Sequence, residues 1–365
     1  MSAYIYLEPG WPALRWDEVA IARRLADLRH RQGRLLGRME GLGFSLQRDA
    51  ELQSLTLDVV KSSEIEGEHL DAEQVRSSVA RRLGIDIAGP ARRDRHIDGV
   101  VEMMLDATQC FDHPLTAERL FKWHALLLKT DKSGIRIGAW RDDAKGPMQV
   151  VSGSIGKERV HYEAPPATRL ADEMPPFFAW INDASGDVDP VLRAAIAHFW
   201  FVTIHPFDDG NGRIARAIAD WQLARSEGSA QRFYSMSAAI RLERDAYYAI
   251  LKRTQKGTLD ITPWMEWFLA CLGRAFAATN DTLGSVLHKA RFWDRHAHAR
   301  INDRQRAMLN MLLDGFHGKL TTTKWATLAK CSHDSALRDV QDLVERGLLK
   351  KGEAGGRSTS YEVVG

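Results

Sequence analysis

His205-Pro206-Phe207-Asp208-Asp209-Gly210-Asn211-Gly212-Arg213-Ile214-Ala215-Arg216 is bracketed by two segments of helical character. Upstream lies an apolar run from Ala194 to Ile204, broken by His198; downstream, Ile214–Ala224 carries the apolar spacing of a helix. The twelve residues between therefore read as a tight loop joining two helices, the second starting at or just after Gly212.

The chemistry of that loop points to a phosphate. A helix N-terminus presents unpaired N–H groups and the positive end of the helix dipole. Gly210 and Gly212 have no Cβ, so an anion can approach the backbone closely. Arg213 and Arg216 lie three apart on the first turn and share a face, where guanidinium forks suit phosphate oxygens. Asp209 would repel a bare phosphate, which suggests a bridging Mg2+. His205, with an imidazole suited to proton removal near neutral pH, precedes them. A phosphoryl- or nucleotidyl-transfer site is the reading these residues favour. Asp-Asp-Gly-Asn-Gly alone is also ordinary turn chemistry. No G-x-x-x-x-G-K-[ST] loop is present, which argues against a P-loop ATPase.

The stretch resembles the signature of the Fic family, H-P-F-x-[DE]-G-N-G-R-x-x-R, at every fixed position. The resemblance implies a mostly α fold: a helical core with a β-hairpin flap. It implies an enzyme that moves AMP from ATP to a protein Ser, Thr or Tyr hydroxyl. On that resemblance His205 is the general base and Asp209 holds Mg2+ against the phosphates. Gly210, Asn211 and Gly212 form the anion pocket, with Asn211 orienting the α-phosphate. Arg213 and Arg216 hold the outer phosphates, and Phe207 is a core anchor under the loop.

Three other segments gain meaning beside it. Ser62-Ser63-Glu64-Ile65-Glu66-Gly67 reads by itself as a helix end, with Ser62 and Glu66 on one face. It also resembles the family's inhibitory motif, [ST]-x-x-x-E-[GN], which implies that Glu66 pairs with Arg216 and restrains the enzyme. Met148–Val151 and Arg159–Tyr162 are two β-like runs around Gly/Ser turn residues. The resemblance makes residues 148–162 the flap along which a target protein docks; by themselves they are a surface hairpin. Tyr248 and Gln255 fall where relatives build the adenine pocket, although core packing explains them nearly as well.

Composition fits an ordinary globular chain: 365 residues, 27% charged, 44% hydrophobic, net charge +2. No whole-molecule field calls for nucleic acid or membrane. The three cysteines, Cys110, Cys271 and Cys331, are odd in number, far apart and match no zinc spacing. With no signal-like N-terminus and no membrane-length apolar run, a cytoplasmic protein is expected.

Three domains are expected: an N-terminal helical module with the inhibitory helix (1–95), the catalytic core (96–290) and a C-terminal domain (300–365). A loop is expected around Gly89-Pro90 and Arg92–Arg95, and a polar connector at 291–302, where His296 and His298 are too divergent for a metal pair. Helices at Asp303–Leu313, Thr323–Ala329 and Asp334–Arg346, followed by two strand-like runs, resemble a winged helix-turn-helix with Lys350–Arg357 as its wing. Asp334, Asp339, Asp342 and Glu345 on the third helix weigh against strong phosphate contact. DNA binding through this segment, protein docking and homodimer formation all stay open. So do self-modification, removal of AMP at the same site, a donor other than ATP such as CDP-choline, and a DNA-binding regulator that uses the core as a nucleotide sensor.

Overall fold

Asp17 caps the first long helix. Its carboxylate accepts from Ala20 N–H at 3.0 Å, and α1 runs Glu18–Glu40. The same device opens the helices that follow α2 (Phe44–Ile65). Asp71 caps α3 (Ala72–Leu83), Asp94 caps α4 (Arg95–Gln109) and Thr116 caps α5 (Ala117–Leu127). The protein is seen in a computed structural model that describes residues 4–86, 94–128, 134–152, 159–183, 186–313, 319–352 and 359–364. The expected loop at Gly89-Pro90 and Arg92-Arg93, the turn of the 148–162 hairpin and most of the expected wing lie outside them.

Two antiparallel strands come next, β1 (Gln149–Ser152) and β2 (Arg159–Glu163), with a bulge between Val150 and Val151. Then follow α6 (Leu170–Asn182), α7 (Pro190–Ile204) and α8 (Asn211–Glu227). Every residue of α7 from Val191 to Ile204 is buried, as a helix apolar on all sides must be. α8 packs against α7, α4 and α5, and is itself buried from Arg213 to Ala224. Three more helices complete this part of the chain: α9 (Met236–Leu242), α10 (Arg244–Gln255) and α11 (Thr262–Thr282).

The chain forms two compact units, Met1–Gly41 with Glu51–Thr279, and Leu42–Ala50 with Asn280–Gly365. The second contains α12 (Gly284–Arg295), α13 (Asp303–Leu313), α14 (Thr322–Leu328) and α15 (His333–Glu345). An antiparallel hairpin of β3 (Leu349–Lys351) and β4 (Tyr361–Val363) ends it. Trp325, Val340, Leu343 and Leu348 build its core with Phe292, Leu309 and Leu313.

The fold is thus mostly helical with small hairpins, as expected. Several boundaries differ from the sequence reading, most of them by one residue. α8 starts at Asn211, one residue early, because Gly210 supplies the left-handed turn before it. α2 stops at Ile65, so Glu66 stands just beyond the helix; a last tight turn, Glu66 N–H to Ser63 C=O at 3.1 Å, keeps it beside Ser62. α12 continues to Arg295, so helix occupies the first part of the expected connector. Among the described residues, no helix is long and apolar enough to cross a membrane, and no cluster of His, Cys, Asp and Glu has the makings of a metal cage.

Candidate active site

His205 ends α7 with φ 54° and ψ 58°, a left-handed conformation uncommon for a residue with a side chain. Its N–H still closes the helix on Phe201 C=O at 3.0 Å. The strain is held from outside. The Arg141 guanidinium donates to His205 C=O at 2.8 Å and to Pro165 C=O at 2.5 Å, while Arg141 N–H donates to Pro206 C=O at 3.0 Å. Buried Arg141 thus ties the loop's entry to the segment after β2.

The imidazole orientation follows from one bond. His205 Nδ1 lies 3.1 Å from Val202 C=O. A carbonyl can only accept, so Nδ1 carries the proton and Nε2 holds the lone pair. Burial pulls the ring's pKa down to about 4, the bond to Val202 acting against it. The ring is therefore neutral at neutral pH, the form a general base needs.

Inside the loop, Asn211 spends its amide on Phe207: Oδ1 accepts from Phe207 N–H at 3.0 Å and Nδ2 donates to Phe207 C=O at 2.7 Å. Fully buried Phe207 stacks on His124, ring centroids 4.1 Å apart. His124 Nδ1 accepts from Gly138 N–H at 3.0 Å, so its Nε2 donates to Asp209 C=O at 3.2 Å. Desolvation lowers the pKa of His124 and keeps it neutral for that task.

Gly210 has φ +81°, and the first turn of α8 opens after it. Gly212 matters for space. A Cβ there would lie 2.3 Å from Glu66 Oε1 and 3.4 Å from Arg216 Nη1. The Glu66 carboxylate thus stands in the space over Gly212, beside the first turn of α8. Arg216 Nη2 donates to that oxygen at 2.8 Å and to Ser62 C=O at 2.9 Å, while Nε donates to Ser62 Oγ at 3.0 Å. Arg216 Nη1 is buried with no hydrogen-bond partner among the described residues, close to the space above Gly212. Burial opposes the charge of Arg216; Glu66 and the Tyr247 and Tyr248 hydroxyls more than offset it and raise its pKa. Glu66 Oε2 accepts from the Tyr248 hydroxyl at 3.2 Å.

A cavity of about 660 Å³ opens beside this group, within the range of small-ligand pockets. Glu66, His205, Asp209 through Gly212, Tyr248 and Gln255 line it together with β1. Ser62, Arg213 and Arg216 do not. They stand behind the carboxylates, Arg213 donating to Glu68 Oε2 at 2.6 Å. The flap residues Val151 and Val160 are exposed, and β2 is pinned to α7 by Tyr162 Oη donating to Thr203 C=O at 2.7 Å. Asp209, whose Oδ1 accepts from Gly210 N–H at 2.6 Å, lines the cavity beside Asp208, and a carboxylate there suits Mg2+, which takes one or two carboxylates and completes its shell with water and phosphate oxygens.

Sequence reasoning gave no role to Arg141, His124 or Glu68. The first two act by pairing with backbone 64 and 85 residues away. Glu68, two places beyond the recognised motif, had only its charge as a signal.

Comparison with known proteins agrees with this architecture. Residues 114–223 match the model of the Fic/DOC family, and residues 4–85 match a domain of unknown function, DUF4172. A protein adenylyltransferase Fic of Drosophila mojavensis is 27% identical over 254 residues, covering 68% of this chain and 45% of that protein. A uridine 5'-monophosphate transferase of Xanthomonas campestris pv. campestris (strain 8004) is 33% identical over 123 residues, covering 31% of this chain and 21% of that protein. This chain thus spans less than half the length of these curated relatives. A Fic family protein from Desulfovibrio desulfuricans G20 shares the fold with TM-score 0.57 at 22% identity, over 95% of this chain and 96% of that one. Fic-1 from C. elegans does so with TM-score 0.51 at 24% identity, over 74% and 75%. The loop from His205 to Arg216 lies inside the stretch that matches the Fic/DOC family model.

Proposed function

We propose that this protein is a transferase that moves AMP from ATP onto a protein hydroxyl and is restrained by its own Glu66. The observation that carries the reading is the anion niche over Gly212: a carboxylate fills it, and buried Arg216 Nη1 beside it makes no hydrogen bond among the described residues. A triphosphate in place of Glu66 would satisfy that N–H and the N-terminus of α8. Two relatives named as nucleotide-monophosphate transferases support the reaction class.

In this reading His205 Nε2 takes the proton of the target hydroxyl as its oxygen attacks the α-phosphorus, and pyrophosphate leaves. The α8 N-terminus stabilises charge that develops on the phosphoryl oxygens. Asp209 would hold Mg2+, which neutralises phosphate charge when bound. Arg213 and Arg216 would hold the outer phosphates, Asn211 would keep the loop in register for the α-phosphate, and Tyr248 and Gln255 would flank the base. The target would pair along the flap, whose exposed Val151 and Val160 offer apolar contacts.

The test is incubation with ATP labelled at the α-phosphate and Mg2+, with UTP in parallel because of the uridylyl relative. Wild type, Glu66→Gly and Glu66→Gly/His205→Ala are compared. Label on protein in Glu66→Gly alone is expected. Equal label in single and double variants would remove His205 from its role, and no label from either nucleotide would end the reading.

A second role concerns the last segment. α13, α14, α15 and the β3–β4 hairpin follow the order of a winged helix-turn-helix, and we propose that assignment for residues 300–365, with protein docking favoured over DNA as its use. On α15 the exposed residues Asp334 and Glu345 accompany a single exposed cation, Arg338.

A further inference from the structure

We propose that Glu68 is a second carboxylate latch, one that holds Arg213 away from nucleotide as Glu66 holds Arg216. It rests on the reading that both arginines serve the outer phosphates. The geometry begins at the end of α2. Ser63 C=O accepts from Glu66 N–H at 3.1 Å and from Glu68 N–H at 3.0 Å. Gly67 between them has φ +81°, the left-handed turn that this double closure requires. The chain thus folds back on itself and presents two carboxylates, two residues apart, to the first turn of α8. Glu66 meets Arg216 at 2.8 Å and Glu68 meets Arg213 at 2.6 Å.

Glu68 is gripped from a second side. His96 of α4 places Nε2 2.5 Å from Glu68 Oε1. Both donors are nearly out of solvent, with side chains 8% exposed for His96 and 7% for Arg213, while Glu68 itself is 31% exposed. One carboxylate therefore bridges α4 and α8 through two well-buried donors, where water competes poorly. A triphosphate that engages both guanidinium groups must displace two carboxylates, and removing Glu66 frees only one. Glu66→Gly alone is accordingly a partly released protein.

The experiment measures ATP and AMP binding by calorimetry with Mg2+ on the full chain, in wild type, Glu66→Gly, Glu68→Gln and Glu66→Gly/Glu68→Gln. ATP should bind the double variant about tenfold tighter than Glu66→Gly, roughly 1.4 kcal/mol. AMP, which lacks outer phosphates, should bind both alike. Glu68→Gln alone should change ATP affinity less than about twofold, since Glu66 still holds Arg216. ATP binding to the double variant equal to or weaker than binding to Glu66→Gly would overturn the latch, the weaker outcome making Glu68 a support that presets Arg213. His96→Gln in the Glu66→Gly background loosens Glu68 without touching Arg213. It should tighten ATP in the same direction by a smaller factor, and it decides the matter if Glu68→Gln does not fold. Label transfer separates the two claims. Tighter ATP without label would sink the transferase and keep the latch; label from Glu66→Gly with no gain from either second-site change would do the reverse.

Discussion

His205 shows how much one side chain's surroundings decide. Its ordinary imidazole pKa is about 6.5, half protonated at that pH. Here burial favours the neutral form and sets the value at about 4. The sign matters: a lowered histidine pKa keeps the base form as pH falls, so basicity survives mild acid. The rate of the Glu66→Gly variant should therefore stay level from about pH 8 down to about pH 6, where an unperturbed histidine would have lost most of its base form. A kcat/KM profile checks this; an acid limb centred near the ordinary imidazole value would show that the ring is solvated in the working protein. In the same background His205→Ala should lower transfer by about a hundredfold or more, the usual scale of a general base, while ATP affinity stays within about twofold.

At the scale of elements, the loop between α7 and α8 is a small closed object. Asn211 shuts it with two buried bonds to the Phe207 backbone, and Phe207 rests on His124. Asn211→Ala would leave Phe207 N–H and C=O unpaired in the interior, at a cost of about 2 kcal/mol. A melting temperature lower by roughly 4–8 °C is expected, with His205 loosened at the other end of the loop. An unchanged melting temperature, read by calorimetry, would mean that water closes the loop as well as the amide does. The elements themselves were largely legible beforehand. Asp71, Gly84 and the apolar period around Val75 and Val79 bound and face α3 within the chain's own local code. β1 and β2 lie within a residue of the expected runs because β-branched and aromatic residues (Val150, Val151, Val160, Tyr162) flank Gly/Ser turn residues. What stayed hidden is what distance in sequence hides. Arg141, His124 and the Glu68–His96–Arg213 group work through partners brought near only by folding, and no local period encodes a partner. Even Tyr248, singled out as a wall for the base, also holds the Glu66 carboxylate through its hydroxyl, a contact 182 residues long in sequence.

For the whole molecule the open choice lies between a restrained transferase and a DNA-binding regulator, and charge decides between them. A net charge of +2 over 365 residues gives no general pull on a polyanion. DNA affinity would then have to come from a local patch. α15 offers little: Asp339 is buried and accepts from Arg304 at 2.6 and 2.9 Å, and Asp342 accepts from Arg346 at 2.7 Å. Those acids are matched by cations that they remove from any phosphate contact, so the unmatched basic surface of α15 reduces to Arg338. In β3, Lys350 and Lys351 are exposed, with Glu362 3.9 Å from Lys350. Arg338, Lys350 and Lys351 release few counterions, so contacts made by α15 and β3 should give a shallow salt dependence, with a slope of log K against log salt no steeper than about −3. The full-length protein should bind random duplex DNA no tighter than about 1–100 µM near physiological salt, the ordinary non-specific range. Sub-micromolar binding that persists in His205→Ala and collapses in Arg338→Glu/Lys350→Glu would reverse this conclusion. It would make the nucleotide cradle a sensor serving the C-terminal unit. Fluorescence anisotropy over a salt series distinguishes the two, because a steep slope requires more cations than α15 and β3 present among the described residues.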